Sequence, residues 1–276
     1  MNAGVDVPDW PPGLPALACA APLPGGLVCM VLGGRLVDGR SVVVKRCPYP
    51  AAVEADGLTA LAAAGAPVPA VLAAHGAVLV LERVGGNEAG PDRAGPDWAL
   101  LGRAVARLHR TTGPRFGWHR DNSGGRIVQH NGWCDDWPGF FVDRRVRVHL
   151  RDPAVPEPLR RRLERACAGP LPALLPARPP ASLTHGDLWI GNIVDGRWLV
   201  DPAVSYADRE LELAFLDMSA SLPAEFHAGY RAEWPIDPGY PDRRPALQLH
   251  KLLVNLRHFG ERYVRRVEAV LDGYGW

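Results

Sequence analysis

With 276 residues, 47% of them hydrophobic, the chain can bury one large core or two modest ones. Its 31 basic and 30 acidic residues nearly cancel, which leaves no global field to draw it onto nucleic acid or an anionic membrane. Cys19, Cys29, Cys47, Cys134 and Cys167 lack metal-type pair spacing, the N-terminus is broken by prolines without a basic region, and no apolar run reaches membrane-spanning length; the expectation is a soluble, reduced, cytoplasmic protein.

In chain order, apolar and β-branched residues flank Gly25-Gly26, and a turn at "VDGR" precedes "SVVVK". That pattern predicts a strand, a glycine-bearing loop, a second strand, a tight turn and a third strand ending at Lys45. "AAVEADGLTALAAAG" predicts a helix closed by Gly65 with Glu54 in its first half, and "AVLVLERVGG" a further strand leading into a glycine-containing connection. A small antiparallel sheet carrying one helix accounts for residues 1–84. From "DWALLGRAVARLHRTT" to "RPALQLHKLLVNLRHFGERYVRRVEAVL" helical periodicity dominates, so residues 85–276 form a larger, mostly helical lobe. The shift near Gly85-Gly86 marks a hinge in an α+β fold of two lobes.

Of the 31 basic residues only Lys45 and Lys251 are lysine. A site that needs a compact, mobile ammonium rather than a planar fork would resist this arginine bias, and Lys45, at a strand end shortly before Glu54, has the context for it.

"SLTHGDLWIGNIVDGRWLVDPAVSY" alternates turn-like polar segments with two short apolar pieces, "NIV" and "RWLV". It predicts a hairpin with Asp195-Gly196 at its turn. Asp187 and Asn192 then lie on the loop entering the first strand, and Asp201 lies just past the second. One Asp acting on a hydroxyl, with an Asn and a second Asp holding a divalent cation, is what phosphoryl transfer needs, because that reaction is mostly positioning and charge neutralisation. Mg²⁺ prefers one or two carboxylates supplemented by amide, phosphate and water oxygens.

The string H-G-D-x-x-x-x-N followed nine residues later by D-P resembles the aminoglycoside phosphotransferase and choline kinase-like group, relatives of the protein kinases. More narrowly, "HGDLWIGN", "DPAVSYADRELELA", "FGWHRDNSGG", "QHNGWCDDWPGFFVDRRVRVHL" and "FHAGYRAEWPIDPGYPDRRPALQLHKLLVNL" resemble the fructosamine kinase, or ketosamine kinase, family, from about Leu23 to the C-terminus. The resemblance implies a protein-kinase-like two-lobe fold and use of ATP and Mg²⁺. It implies that Asp187 accepts or orients the substrate hydroxyl, that Asn192 and Asp201 hold the metal, and that Lys45 meets the α/β-phosphates with Glu54 as its helix partner. Gly25 and Gly26 stand where the phosphate-covering loop belongs. The backbone at Glu82 and Val84 stands where adenine is met, and His185 orients the catalytic loop. The implied acceptor is a small-molecule or protein-linked ketosamine, phosphorylated on its 3-hydroxyl by a monomer or weak dimer without nucleic-acid or membrane partners. Three features depart from the family: a short, proline-rich segment before Gly25 where a helix is usual, Ile190 where a small residue is usual, and a glycine loop "PGGLVCMVLGG" that matches imperfectly.

Trp133, Trp189, Asp135 and Asp136 are candidate acceptor contacts, and each has a plainer reading: tryptophan is more often core than platform, and an acidic pair before a helix can cap it. Asp208, Arg209 and Glu210 read as an internal ion-pair or capping cluster, and Cys29 as apolar filler or a loop thiol able to form an intermolecular disulfide. Three functions stay open: a ketosamine kinase in deglycation, a kinase of the same fold acting on an antibiotic or biosynthetic amino sugar, and a non-catalytic binding protein. The intact set of Lys45, Asp187, Asn192 and Asp201 weighs against the last.

Overall fold

A computed structural model describes residues 7–24, 28–85, 96–218 and 222–276; Gly25 and Gly26 therefore lie outside the described residues. Strands β1 (Leu17–Pro22), β2 (Met30–Leu36) and β3 (Ser41–Arg46) are followed by helix α1 (Ala51–Ala63) and strands β4 (Val71–His75) and β5 (Val78–Glu82). The strands pair antiparallel in the order β1-β2-β3-β5-β4. Strand β4 escapes a pattern reading because its "LAAH" core is alanine-rich, and alanine gives little strand signal.

The two-residue period of a strand decides what Lys45 can touch. Val42 and Val44 of β3 enter a buried cluster with Leu17, Leu36, Val78 and Val80 on one face of the sheet. Val43 packs on the other face, against a cluster that contains Leu58 and Leu61 of α1. Lys45 follows Val43 by two residues and so faces the helix.

The same sheet corrects the reading of a fully reduced chain. The β2–β3 register sets Met30 opposite Arg46 and thereby Cys29 opposite Cys47. Their Cα atoms lie 4.3 Å apart and their sulfurs form a disulfide across the two strands. Cys29 is neither apolar filler nor a loop thiol free for an intermolecular bond. Its partner is set by strand register, which cysteine spacing along the chain does not reveal. Cys19, Cys134 and Cys167 are free thiols.

The helical part opens with α2 (Trp98–Arg110), whose first turn is capped by the Asp97 carboxylate accepting from Leu100 N at 2.8 Å. A hairpin of β6 (Asn122–Gly124) and β7 (Ile127–Gln129) follows, then α3 (Trp137–Phe141), a π-helical turn over Val142–Val146, α4 (Arg147–Leu150), α5 (Glu157–Ala168) and α6 (Pro170–Leu174). Strand β8 (Ser182–Thr184) leads through the H-G-D segment to β9 (Ile193–Val194), β10 (Trp198–Leu199) and β11 (Ser205–Ala207). Helices α7 (Arg209–Met218), α8 (Ala224–Glu233), α9 (Tyr240–Phe259) and α10 (Val264–Tyr274) complete the chain.

Helices α2 and α8 approach closely because Gly102 and Gly229 stand at their crossing. A Cβ on Gly102 would strike the Phe226 carbonyl, and one on Gly229 the Ala99 carbonyl. One buried cluster runs from Leu61 of α1 through Leu101 and Leu108 of α2 to Leu213 of α7 and Leu253 of α9, so a continuous core joins the sheet's helix to the helical part. No helix among the described residues is long and apolar enough to cross a membrane.

Candidate active site

The H-G-D segment is held between two short pairings. β8 and β11 pair antiparallel with Thr184 opposite Ser205. Just past this pair, Ala203 N donates to the His185 carbonyl at 2.9 Å. Gly186 sits at φ 81°, where a Cβ would collide with the Ala203 carbonyl, so glycine is required there on both counts. The predicted hairpin forms: β9 and β10 pair through Ile193 and Leu199, with Asp195 and Gly196 both at positive φ in the turn. Val200 N donates to the Asn192 carbonyl at 3.0 Å, which ties the two polar loops flanking the hairpin to one another.

A buried carboxylate fixes the segment from behind. Glu212 of α7 accepts from His185 N at 3.0 Å and Gly186 N at 2.6 Å, and lies 2.9 Å from His109 Nε2. Burial disfavours its charged form, but these partners outweigh burial and hold Glu212 below the usual glutamate range. His185 is fully buried, which pushes its imidazole towards the neutral form, and its Nδ1 lies 3.4 Å from Asp187 N. It faces the backbone of the loop.

Two ion-paired clusters result. At the sheet, Lys45 Nζ donates to Glu54 Oε1 and Oε2 at 2.6 and 2.8 Å and to Asp201 Oδ1 at 2.6 Å. Burial disfavours the ammonium, yet the two carboxylates prevail and hold Lys45 above the ordinary lysine value, so it is charged at neutral pH. Glu54 is buried, while the Asp201 side chain is 47% exposed on a backbone at φ 58°. At the H-G-D loop, Asn192 Nδ2 donates to the Asp187 carbonyl at 2.8 Å and lies 3.3 Å from Asp187 Oδ2, which leaves the amide oxygen Oδ1 of Asn192 as its acceptor. Asp187 Oδ1 receives a bond of 2.8 Å from Lys251 Nζ.

Lys251, Glu212 and His109 are the parts that motif reading misses. For Lys251 the signal was present: it is the second of only two lysines among 31 basic residues. Glu212 and His109 are ordinary helix residues in sequence, and only the packing of α2 and α7 behind the loop reveals them.

The remaining candidates divide. Glu82 ends β5, exposed, with its N–H given to the Ala70 carbonyl, and Val84 follows half-buried. Trp133 is 38% exposed with its ring stacked on Tyr206, and Trp189 is 40% exposed beside Ile190. Asp135 pairs with Arg115 at 2.7 Å. Asp136 caps α3 by accepting from Gly139 N at 2.7 Å. Asp136 thus takes the capping reading, and Asp135 stands in an exposed ion pair. The surrounding "QHNGW" segment is architectural too: Asn131 Oδ1 and the His130 carbonyl accept from the fully buried Arg145, whose guanidinium lies over Phe140 and which burial lowers to about 9. The Asp208 cluster is internal as expected. Asp208 accepts from Glu210 N, Glu210 pairs with Arg243, and the Arg209 guanidinium lies 3.9 Å over Trp234.

The family model for fructosamine kinase matches residues 48–274, which take in Glu54, Asp187, Asn192, Asp201 and Lys251. The chain belongs to the fructosamine kinase family. A relative in Enterococcus faecium assigned as a ketoamine kinase is 34% identical over 182 residues, covering 63% of this chain and 66% of that protein. The match thus spans slightly less than two thirds of that curated relative's length. A Thermobifida fusca crystal structure assigned as a fructosamine-3-kinase superposes with a TM-score of 0.82 at 28% identity, over 93% of this chain and 94% of the other. A macrolide 2'-phosphotransferase type I shares the fold at a TM-score of 0.56 and 16% identity, over 91% of this chain and 90% of that one. The chain thus has a kinase-like fold that is shared beyond its own family.

Proposed function

We propose that the chain is an ATP- and Mg²⁺-dependent kinase that phosphorylates the 3-hydroxyl of a ketosamine, free or protein-linked. The observation that carries this reading is the meeting of Lys45, Glu54 and Asp201 in one cluster and of Asn192 and Asp187 in the next, joined by the Val200–Asn192 backbone bond. In this reading residues 1–84 supply the nucleotide side and residues 85–276 the acceptor side. Gly25, Gly26 and the backbone at Glu82 and Val84 belong to the nucleotide side.

The donor set fits a magnesium ion. Asn192 keeps its amide oxygen, and Asp201 has a second carboxylate oxygen besides the one on Lys45. Among the described residues no three acidic, imidazole or thiol side chains gather into a cation cage, so the remaining ligands come from phosphate and water, as magnesium prefers. When bound, the metal neutralises charge on the transferred phosphoryl group. Lys45 then meets the phosphates while Glu54 keeps it in line, and Asp187 orients the acceptor hydroxyl and takes its proton at a carboxylate oxygen. The exposed rings of Trp189 and Trp133 offer apolar surface to the sugar-derived part of the acceptor.

A polycationic antibiotic would seek free carboxylates near the acceptor side, and Asp135 and Asp136 are engaged by Arg115 and by the α3 cap. The deciding experiment is a panel of fructosyl and ribulosyl amines, aminoglycosides and macrolides with ADP release as readout, run with and without Mg²⁺. Transfer to a ketosamine supports the reading, and transfer confined to an antibiotic would replace it.

A further inference from the structure

We propose that Lys251 is a positioning residue for the transfer, its ammonium clamping the Asp187 carboxylate in the orientation that meets the acceptor oxygen. This rests on the reading of Asp187 as the group that meets that oxygen. Lys251 lies midway along α9, in a buried run from Leu249 to Val254, and its side chain is only 7% exposed. Lysine is almost never so buried without a partner. Its Nζ is 2.8 Å from Asp187 Oδ1, 64 residues away in sequence, and 4.6 Å from the ring centre of Phe215 on α7. The helix therefore reaches into the catalytic loop through one charged contact, steadied by a cation–π contact from a second helix.

The clamp matters because Asp187 is otherwise weakly fixed. Asn192 grips its backbone carbonyl at 2.8 Å but reaches Oδ2 only at 3.3 Å, a long bond for a carboxylate. Lys251 supplies the short charge-assisted bond, fixes the plane of the carboxylate, and leaves its remaining lone pairs for the hydroxyl. Glu212 borders the same small cavity as Lys251, but His185 N, Gly186 N and His109 engage it. Arg145 on that cavity is satisfied by neutral acceptors, and burial keeps His250 neutral. The chain otherwise uses arginine for its cations, yet both of its lysines sit on the two carboxylates nearest the proposed reaction. A planar guanidinium in place of Lys251 would need more room between α9 and the loop.

The test is Lys251→Met, which keeps the length of the stem and removes the charge, beside Lys251→Ala assayed with and without added propylammonium. The expected result for Lys251→Met is a kcat for phosphoryl transfer lower by roughly a hundredfold, with ATP affinity by calorimetry essentially unchanged. In Lys251→Ala, propylammonium should restore part of the rate in a saturable way, which a loss of packing would not allow. Wild-type kcat in Lys251→Met would overturn the proposal. So would a joint loss of activity, ATP binding and melting temperature in both variants without amine rescue. If the wild-type protein hydrolyses ATP but phosphorylates no ketosamine, the acceptor assignment fails by itself. Lys251 is then read on hydrolysis, where the same carboxylate orients water.

Discussion

The two lysines of this chain serve carboxylates in opposite ways. Lys45, at the sheet, carries two at once, one buried on α1 and one half-exposed on Asp201. Lys251, on α9, donates to Asp187 while its ammonium lies over the Phe215 ring. The sheet cluster is charge-rich and partly open, which in the proposed reading suits exchange of Asp201 for phosphate. In the same reading the helical cluster is a brace. One ammonium is then a phosphate ligand and the other a strut, which predicts that their removal will damage different steps.

The largest effect that separates the two clusters should come from Asp201→Ala. It removes a proposed metal oxygen and leaves Lys45 with Glu54, so turnover should fall on the order of a thousandfold and the Mg²⁺ requirement should rise. A magnesium titration of the steady-state rate checks this. An unchanged metal dependence would remove Asp201 from the metal site.

Lys45→Arg should cost roughly a hundredfold in kcat/KM for ATP, because a wider fork misplaces the phosphates by about 1 Å while preserving charge. Kinetics beside a melting curve on the same preparation would show the split, with the melting temperature little moved. Wild-type kcat/KM would make Lys45 a mere strand-end cation.

The smallest effect sharpens the comparison with a carboxyl that has no ammonium. Asp208 is fully buried, with Oδ1 on Glu210 N and Oδ2 without a hydrogen-bond partner. Burial, then the nearby Glu210 charge, push it up from 3.8 to about 7. Its folded state holds the proton more tightly than the unfolded chain. The stability it contributes is therefore full below about 3.8 and is lost as pH rises towards about 7, at no more than about 1.4 kcal/mol per pH unit. Melting curves across that window should show wild type losing ground to Asp208→Asn as pH rises, and parallel curves would contradict this.

Much of the fold was legible because local rules agreed with the tertiary outcome. The period of two through "SVVVK", the helical run ending at Gly65 and the Asp-Gly turn at Asp195-Gly196 each describe an element that forms. The carboxylates and amide of the candidate site were legible because their spacing places them on the loops around one hairpin. What was hidden depends on contacts between distant segments. The Cys29–Cys47 bond follows from the register of β2 on β3, and the Lys251–Asp187 contact from how α9 lies across the H-G-D loop. The Asp135 pairing was hidden for the same reason, since the Arg115 that engages it stands 20 residues earlier, whereas the Asp136 cap is a local contact.

The division of labour between the two clusters is tested most directly by Asp187→Asn, titrated with Mg²⁺-ATP in a calorimeter and assayed for transfer on the same preparation. The account predicts nucleotide affinity close to wild type with kcat lower on the order of a thousandfold, because Asp187 orients the acceptor and holds no part of ATP. Collapse of ATP binding together with turnover would contradict it, and would make Asp187 a nucleotide or metal ligand instead.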